Sequence, residues 1–324
     1  MSIRSVAIAT AAFALAGSAA LAVEPRVTHA TTTYHRKLVD GVTIFYREAG
    51  PPDAPVIVLL HGFPSSSRMF DTLIPLLADR YHLIAPDYVG FGQSDAPAAD
   101  IFAYTFDHEA ALIEKLIESL ELRHYVLFMQ DYGGPIGFRL ALAHPERVQA
   151  LVIQNAVAHE EGLGPIWESR RAYWKDRAAH EAKVIGSFTS LEGARERHVG
   201  SSPHFERYNP DTWTDEFAAL SRPGQAKLQA DLFYDYRNNV ASYPKWQAWL
   251  RQRQPPTLVV WGKYDPSFAV AGAAAYKRDV PSAEVHILDA GHFALDEKVD
   301  DIAALVRTFL AKQHSLQSSS RRAD

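Results

Sequence analysis

Asp131, Asp265 and His292 each sit in a short segment that ends an apolar run: Gln130-Asp131-Tyr132-Gly133-Gly134, Tyr264-Asp265-Pro266 and Gly291-His292-Phe293. A fourth such segment, His61-Gly62-Phe63-Pro64, comes earlier in the chain. Their order offers a nucleophile, an acid and a histidine, the residue types that covalent catalysis assisted by a base requires. Taken singly, Asp131 reads as a helix N-cap and Asp265 as an Asp-Pro turn residue. Four segments of one kind, each at the end of an apolar run, favour a shared site.

The intervening pattern says what must hold these residues. Short apolar runs at 42–50, 55–60, 81–87, 125–130, 150–156, 257–262 and 284–290 read as strands, several of them covered on both faces. Helical spacing appears at 67–80, 105–120, 135–144 and 300–312. Strict alternation of the two predicts a mostly parallel sheet with helices on both faces. Ligands of open parallel sheets bind at the carboxyl ends of strands, where the four segments lie. The alternation lapses over 157–250, which is helical in pattern and rich in Trp and Tyr, so the core at 30–156 and 251–312 is expected to carry an inserted helical cap.

Composition narrows the chemistry. The chain has 324 residues, a net charge of −5 and no cysteine, which excludes disulfides, thiolate metal sites and a Cys nucleophile. Basic residues do not cluster with aromatics, so no nucleic-acid partner is expected. Phe91-Gly92-Gln93-Ser94 after Gly90 lacks the third glycine of a dinucleotide fingerprint and reads as a turn. Residues 1–22 read as a signal peptide: Arg4, an apolar stretch from Val6 to Leu15, then Ala20-Leu21-Ala22 before the cleavage point. Export to a periplasm follows, with no stable membrane insertion once the signal is removed. Residues 313–324 are expected to form a disordered tail. No pattern sets the oligomeric state.

The order and strand-end placement of these motifs resemble the α/β-hydrolase superfamily over roughly residues 30–312. His61-Gly62-Phe63-Pro64, the 90–97 segment, the Asp at the strand–turn–helix elbow and the segment around His292 resemble its epoxide hydrolase and haloalkane dehalogenase branch. Met129 is a departure, since a glycine is common two residues before the nucleophile. In this branch Asp131 attacks a saturated carbon. A serine ether would resist hydrolysis, whereas an aspartyl ester is opened by water with His292 as base. The resemblance implies that Asp265 orients His292, because the alternative acid position holds Asn155. It also implies an oxyanion hole from the Phe63 and Tyr132 N–H groups.

Two leaving groups then compete. A halide needs donors such as an indole beside the nucleophile, but that neighbour is Tyr132, leaving Trp167 or Trp174 of the cap. An epoxide oxygen needs an acid, and the resemblance to epoxide hydrolases implies two cap tyrosines, for which the Tyr-Arg pair at Tyr236 is the best match, with Tyr173 as partner and Tyr208 behind it. Epoxide hydrolysis is the expected activity. Haloalkane dehalogenation, or defluorination of a small haloacid, is the alternative, and a non-catalytic ligand-binding protein on the same fold is a reading from another class. The aromatic cap predicts a small hydrophobic substrate, with water as co-substrate and no cofactor or metal.

Overall fold

The computed structural model describes residues 31–320, with side chains through 313. The signal-peptide segment therefore lies outside the described residues. Eight strands form one sheet: β1 (Thr33–Val39), β2 (Val42–Ala49), β3 (Val56–Leu60), β4 (His82–Pro86), β5 (Tyr125–Gln130), β6 (Val148–Gln154), β7 (Thr257–Gly262) and β8 (Glu284–Leu288). Their order is β1-β2-β4-β3-β5-β6-β7-β8, antiparallel at β1–β2 and β2–β4 and parallel from β4 onward. The parallel β3 to β8 set matches the apolar runs. β1 is an edge strand with most of its side chains at least partly exposed, so its residues, Thr-Tyr-His-Arg-Lys-Leu-Val, send no apolar signal.

Buried runs alternate between two cores. Val58, Leu60, Tyr125, Leu127, Met129, Leu151 and Ile153 face one layer. It includes side chains of α2 (Phe106–Ser119), α3 (Gly133–Ala143) and α9 (Val270–Asp279). Ile57, Leu59, Val126, Phe128, Val152 and Val260 face the other, with side chains of α1 (Ile74–Leu77) and α10 (Leu295–Ser320). Every second residue serves each face, which is why these strands read as unbroken apolar stretches.

Two helix expectations are corrected. The helix anticipated over 67–80 is a 3₁₀ turn at Ser67–Phe70 followed by only four residues of α1, because Pro75 lacks the N–H that would continue a ladder through it. The tail expected to be unstructured from 313 is helical to Ser320, since no glycine or proline interrupts the chain after 300.

Between β6 and β7 the described chain forms helices without strands: α4 (Trp167–Lys175), α5 (Arg177–Phe188), α6 (Leu191–Val199), α7 (Asp211–Leu220) and α8 (Gln225–Arg253). α8 passes the boundary read at 250. These helices lie over the carboxyl ends of the strands and place Phe188, Phe233 and Tyr236 against Phe63, Phe106 and Tyr132.

Candidate active site

β5 delivers Asp131 at a sharp turn. The residue has φ +47°, in the left-handed region that a non-glycine side chain enters only when its surroundings impose it. Packing does so here. A Cβ on Gly133 would sit 2.2 Å from the Leu60 carbonyl oxygen, so α3 can begin only with glycine at that point. Met129, the departure noted in the motif, is accommodated by Gly137 one turn into α3, where a Cβ would fall 2.1 Å from the Met129 sulfur. A large residue on the strand is matched by a missing side chain on the helix. Gly133→Ala is expected to cost about 1–3 kcal/mol of unfolding free energy through overpacking, measurable by urea denaturation.

The carboxylate so placed meets two backbone donors. Phe63 N–H donates to Asp131 Oδ1 at 2.9 Å, and the Tyr132 N–H also bonds the carboxylate. Burial pushes the Asp131 carboxyl above the usual carboxylate range, opposed by His292, the Phe63 N–H and Arg197. His61 holds the Phe63 loop from beneath. Its Nδ1–H donates to the Gly62 carbonyl at 3.0 Å, its Nε2 accepts from Tyr88 N–H at 3.2 Å, and burial holds its pKa down at about 3, so it stays neutral.

His292 stands beyond the carboxylate, with Nε2 at 3.6 Å from Asp131 Oδ2. Its Nδ1–H donates to Asp265 Oδ2 at 2.7 Å, which leaves the lone pair on Nε2, facing the nucleophile. Asp265 is fixed by Ser267 N–H at 2.6 Å and Phe268 N–H at 3.0 Å on its other oxygen. The structure therefore brings Asp131, Asp265 and His292, and the two N–H donors, into one site.

Asn155 has a part that the sequence reading did not assign. It ends β6, donates to Asp265 Oδ2 at 2.7 Å and accepts from Gly262 N–H at 2.9 Å, tying the acid to its own strand. Gln130 was likewise missed; its Nε2 lies 3.0 Å from His292 Nε2. Neither sits in a pattern of its own, although each adjoins a strand end already singled out.

The cap candidates separate sharply. Trp167 Nε1 donates to the Ser267 carbonyl and Trp174 Nε1 to the Phe233 carbonyl, both at 2.8 Å, so both indole N–H groups are committed. The Tyr173 hydroxyl is committed too, to the Ala230 carbonyl at 2.8 Å, and Tyr208 bonds Glu297. In all four the polar tip is satisfied by protein, as buried Trp and Tyr tips commonly are. Tyr236 differs. It is buried against Tyr132, Trp167 and Phe106, and its hydroxyl bonds no carbonyl, facing the Tyr243 hydroxyl instead. Tyr243, two helical turns along α8, stands beside it, and the two hydroxyls interact with each other. Burial raises Tyr236 well above its ordinary range, so it stays a neutral donor.

Comparison with known proteins agrees with this geometry. The alpha/beta hydrolase fold family matches residues 55–299. An uncharacterized hydrolase of Saccharomyces cerevisiae is 40% identical over 86% of this chain and 97% of its own length. A haloalkane dehalogenase of Mycobacterium marinum is 40% identical over 85% of this chain and 89% of its own. Among solved structures, the haloalkane dehalogenase DbeA from Bradyrhizobium elkani superposes with a TM-score of 0.74 at 23% identity, over 88% of this chain and 100% of that one, a likeness of fold. The chain belongs to the α/β-hydrolase family, in its branch of haloalkane dehalogenase-like and epoxide hydrolase-like enzymes.

Proposed function

We propose that this hydrolase opens epoxides through an ester on Asp131. One observation carries the reading: the Trp167 and Trp174 indoles are spent on backbone carbonyls, while the buried Tyr236 phenol bonds no carbonyl and faces only the Tyr243 hydroxyl. A departing halide would find the Trp167 and Trp174 N–H groups committed, whereas an epoxide oxygen needs a neutral acid, which the Tyr236 phenol supplies.

In the first step an Asp131 oxygen attacks a ring carbon. The ring C–O bond breaks toward oxygen, which takes the Tyr236 proton, and the phenolate later regains one from solvent. In the second step His292 removes a proton from water, which attacks the Asp131 carbonyl carbon. Phe63 and Tyr132 N–H groups stabilise the resulting oxyanion. The bond from that carbon to the alkyl oxygen then breaks, and the diol leaves with the proton from His292. Asp131, now holding one oxygen from water, returns to carboxylate by releasing the water's second proton to solvent, which balances the proton the phenolate regains.

The test uses His292→Gln, which blocks the second step. With an epoxide panel its intact mass is expected to rise by one whole epoxide, and the gain should vanish when Asp131→Ala is added. Gain equal to an alkyl halide minus its hydrogen halide, with no gain from epoxides, would assign the site to dehalogenation. Tyr236→Phe should slow ester formation about 10²-fold or more while leaving the mass gain possible; an unaltered rate would remove Tyr236 from the mechanism.

A further inference from the structure

Two arginines are buried in the aromatic shell around Asp131 and, among the described residues, have no hydrogen-bonding or ion-pairing partner. Arg170 on α4 is 3% exposed and Arg197 on α6 is 7% exposed. Among the described residues neither makes a hydrogen bond or an ion pair, and Nε and Nη1 of Arg170 and Nη1 of Arg197 are buried and unpaired. Their sequence neighbours behave otherwise: Arg171 pairs with Glu160 at 2.9 Å and Arg195 with Glu192 at 2.8 Å, both on the surface. The chain thus had surface pairing at hand and still turned one arginine of each pair inward.

Aromatic rings hold the guanidinium planes. Arg170 lies 4.5 Å from the Trp167 ring and 4.6 Å from Phe188, and Arg197 lies 4.5 Å from Phe63 and 5.3 Å from Phe188. Stacking satisfies the faces of a guanidinium and leaves its N–H edges wanting acceptors. Phe63 is also the residue whose N–H holds Asp131, and Trp167 packs on Tyr236, so both cations border the reacting groups. Asp131 does not bond them; its donors are Phe63 and Tyr132.

Burial lowers the pKa of both, that of Arg170 to about 9, with mutual repulsion adding to it there and the Asp131 charge opposing it. Two like charges buried together without acceptors are costly, and an anion between them removes that cost. Planar N–H edges match a carboxylate, which accepts from two guanidinium groups at once.

We infer that Arg170 and Arg197 form a carboxylate clamp, and that the substrate is a small epoxy carboxylic acid whose acid end they bind while Asp131 attacks the ring. The epoxide half of this inference rests on the function proposed above; the clamp does not. The pocket expected from the aromatic cap to take a plain hydrophobic compound takes an amphiphilic one instead.

Charge on the probe, rather than the fold of a variant, is the first test. Wild-type protein is titrated calorimetrically with 3-phenylpropanoate and with 3-phenylpropanamide, which cannot react. The acid is expected to bind at least tenfold more tightly, as about 1.4 kcal/mol of charge recognition per tenfold requires. Equal affinity for the two would overturn the clamp. Turnover of 3-phenylglycidate and 3-phenylglycidamide is then compared in wild type, Arg170→Met and Arg197→Met. The acid-to-amide ratio of kcat/KM should exceed ten in wild type and collapse toward one in each variant. If Arg197 merely tuned the Asp131 charge, its replacement would shift the acid limb of the pH profile for both probes alike and leave the ratio standing, which overturns the clamp. Selective binding of the propanoate with neither glycidyl compound opened would keep the clamp and refute the epoxide reading. Equal opening of both would do the reverse.

Discussion

Asp131→Asn is expected to lose turnover by at least about 10⁴-fold while the protein stays folded. The substitution keeps shape, and its side-chain oxygen can still accept the Phe63 N–H that bonds Oδ1 at 2.9 Å. What disappears is the anionic oxygen that forms the ester. Near-wild-type turnover would eliminate the covalent mechanism, and the absence of change in any measured behaviour would favour a ligand-binding protein. The wild-type pH profile carries a linked expectation. Asp131 must be ionised to attack, and burial holds its pKa above the ordinary carboxylate value, so the acid limb of kcat/KM should lie above the usual carboxylate range.

A comparably large effect on stability is expected at His198. This α6 side chain is 2% exposed and lies between two acids, Glu216 of α7 at 2.8 Å and Asp296 of α10 at 2.6 Å. Burial alone would lower its pKa, but Glu216 and Asp296 outweigh that and hold it at about 10. His198→Leu removes the cation and leaves buried Glu216 and partly buried Asp296 facing each other, a loss of about 3–5 kcal/mol. Because the folded pKa is raised, the stabilisation is fully present below about pH 6.5, the unfolded value, and is lost as pH rises toward about 10. Urea midpoints across that range measure it, with His198→Leu as the flat control. A variant loss below about 1 kcal/mol would refute the assignment. The consequence reaches the site, since His198 follows Arg197 and stacks on Phe293 at 4.2 Å, beside His292.

The parallel sheet and its helical layers were legible because each core strand is apolar on both faces and each chemical residue ends one. The branch was legible from the Asp at the elbow and the segment around His292. The cap was far less so. In the run Trp167-Glu-Ser-Arg170-Arg171, side-chain type does not distinguish the two arginines. Only the phase of α4 does: Arg170 lies three residues after Trp167 and four before Trp174, on the face those indoles turn inward. Tyr243 carries no signal that sets it apart from Tyr173 for a similar reason. Both are buried tyrosines in helices, and what separates them is a carbonyl at Ala230 that a linear reading does not bring near. Local pattern carries hydrophobic phase well and hydrogen-bond partners across helices poorly.

The Trp167–Ser267 bond also bears on how this enzyme can be re-engineered. It is one of several ties between the start of the inserted helices and the loop after Asp265: Leu163 forms a bridge to Phe268, Ala269 N–H donates to the Gly162 carbonyl at 2.9 Å, and Trp167 stacks on Phe268. The same loop supplies the Ser267 and Phe268 N–H groups that grip Asp265. A chimera that transplants only the inserted helices from a relative would cut these ties and loosen the catalytic acid. A transplant extended through 262–270 would carry both halves of the seam together.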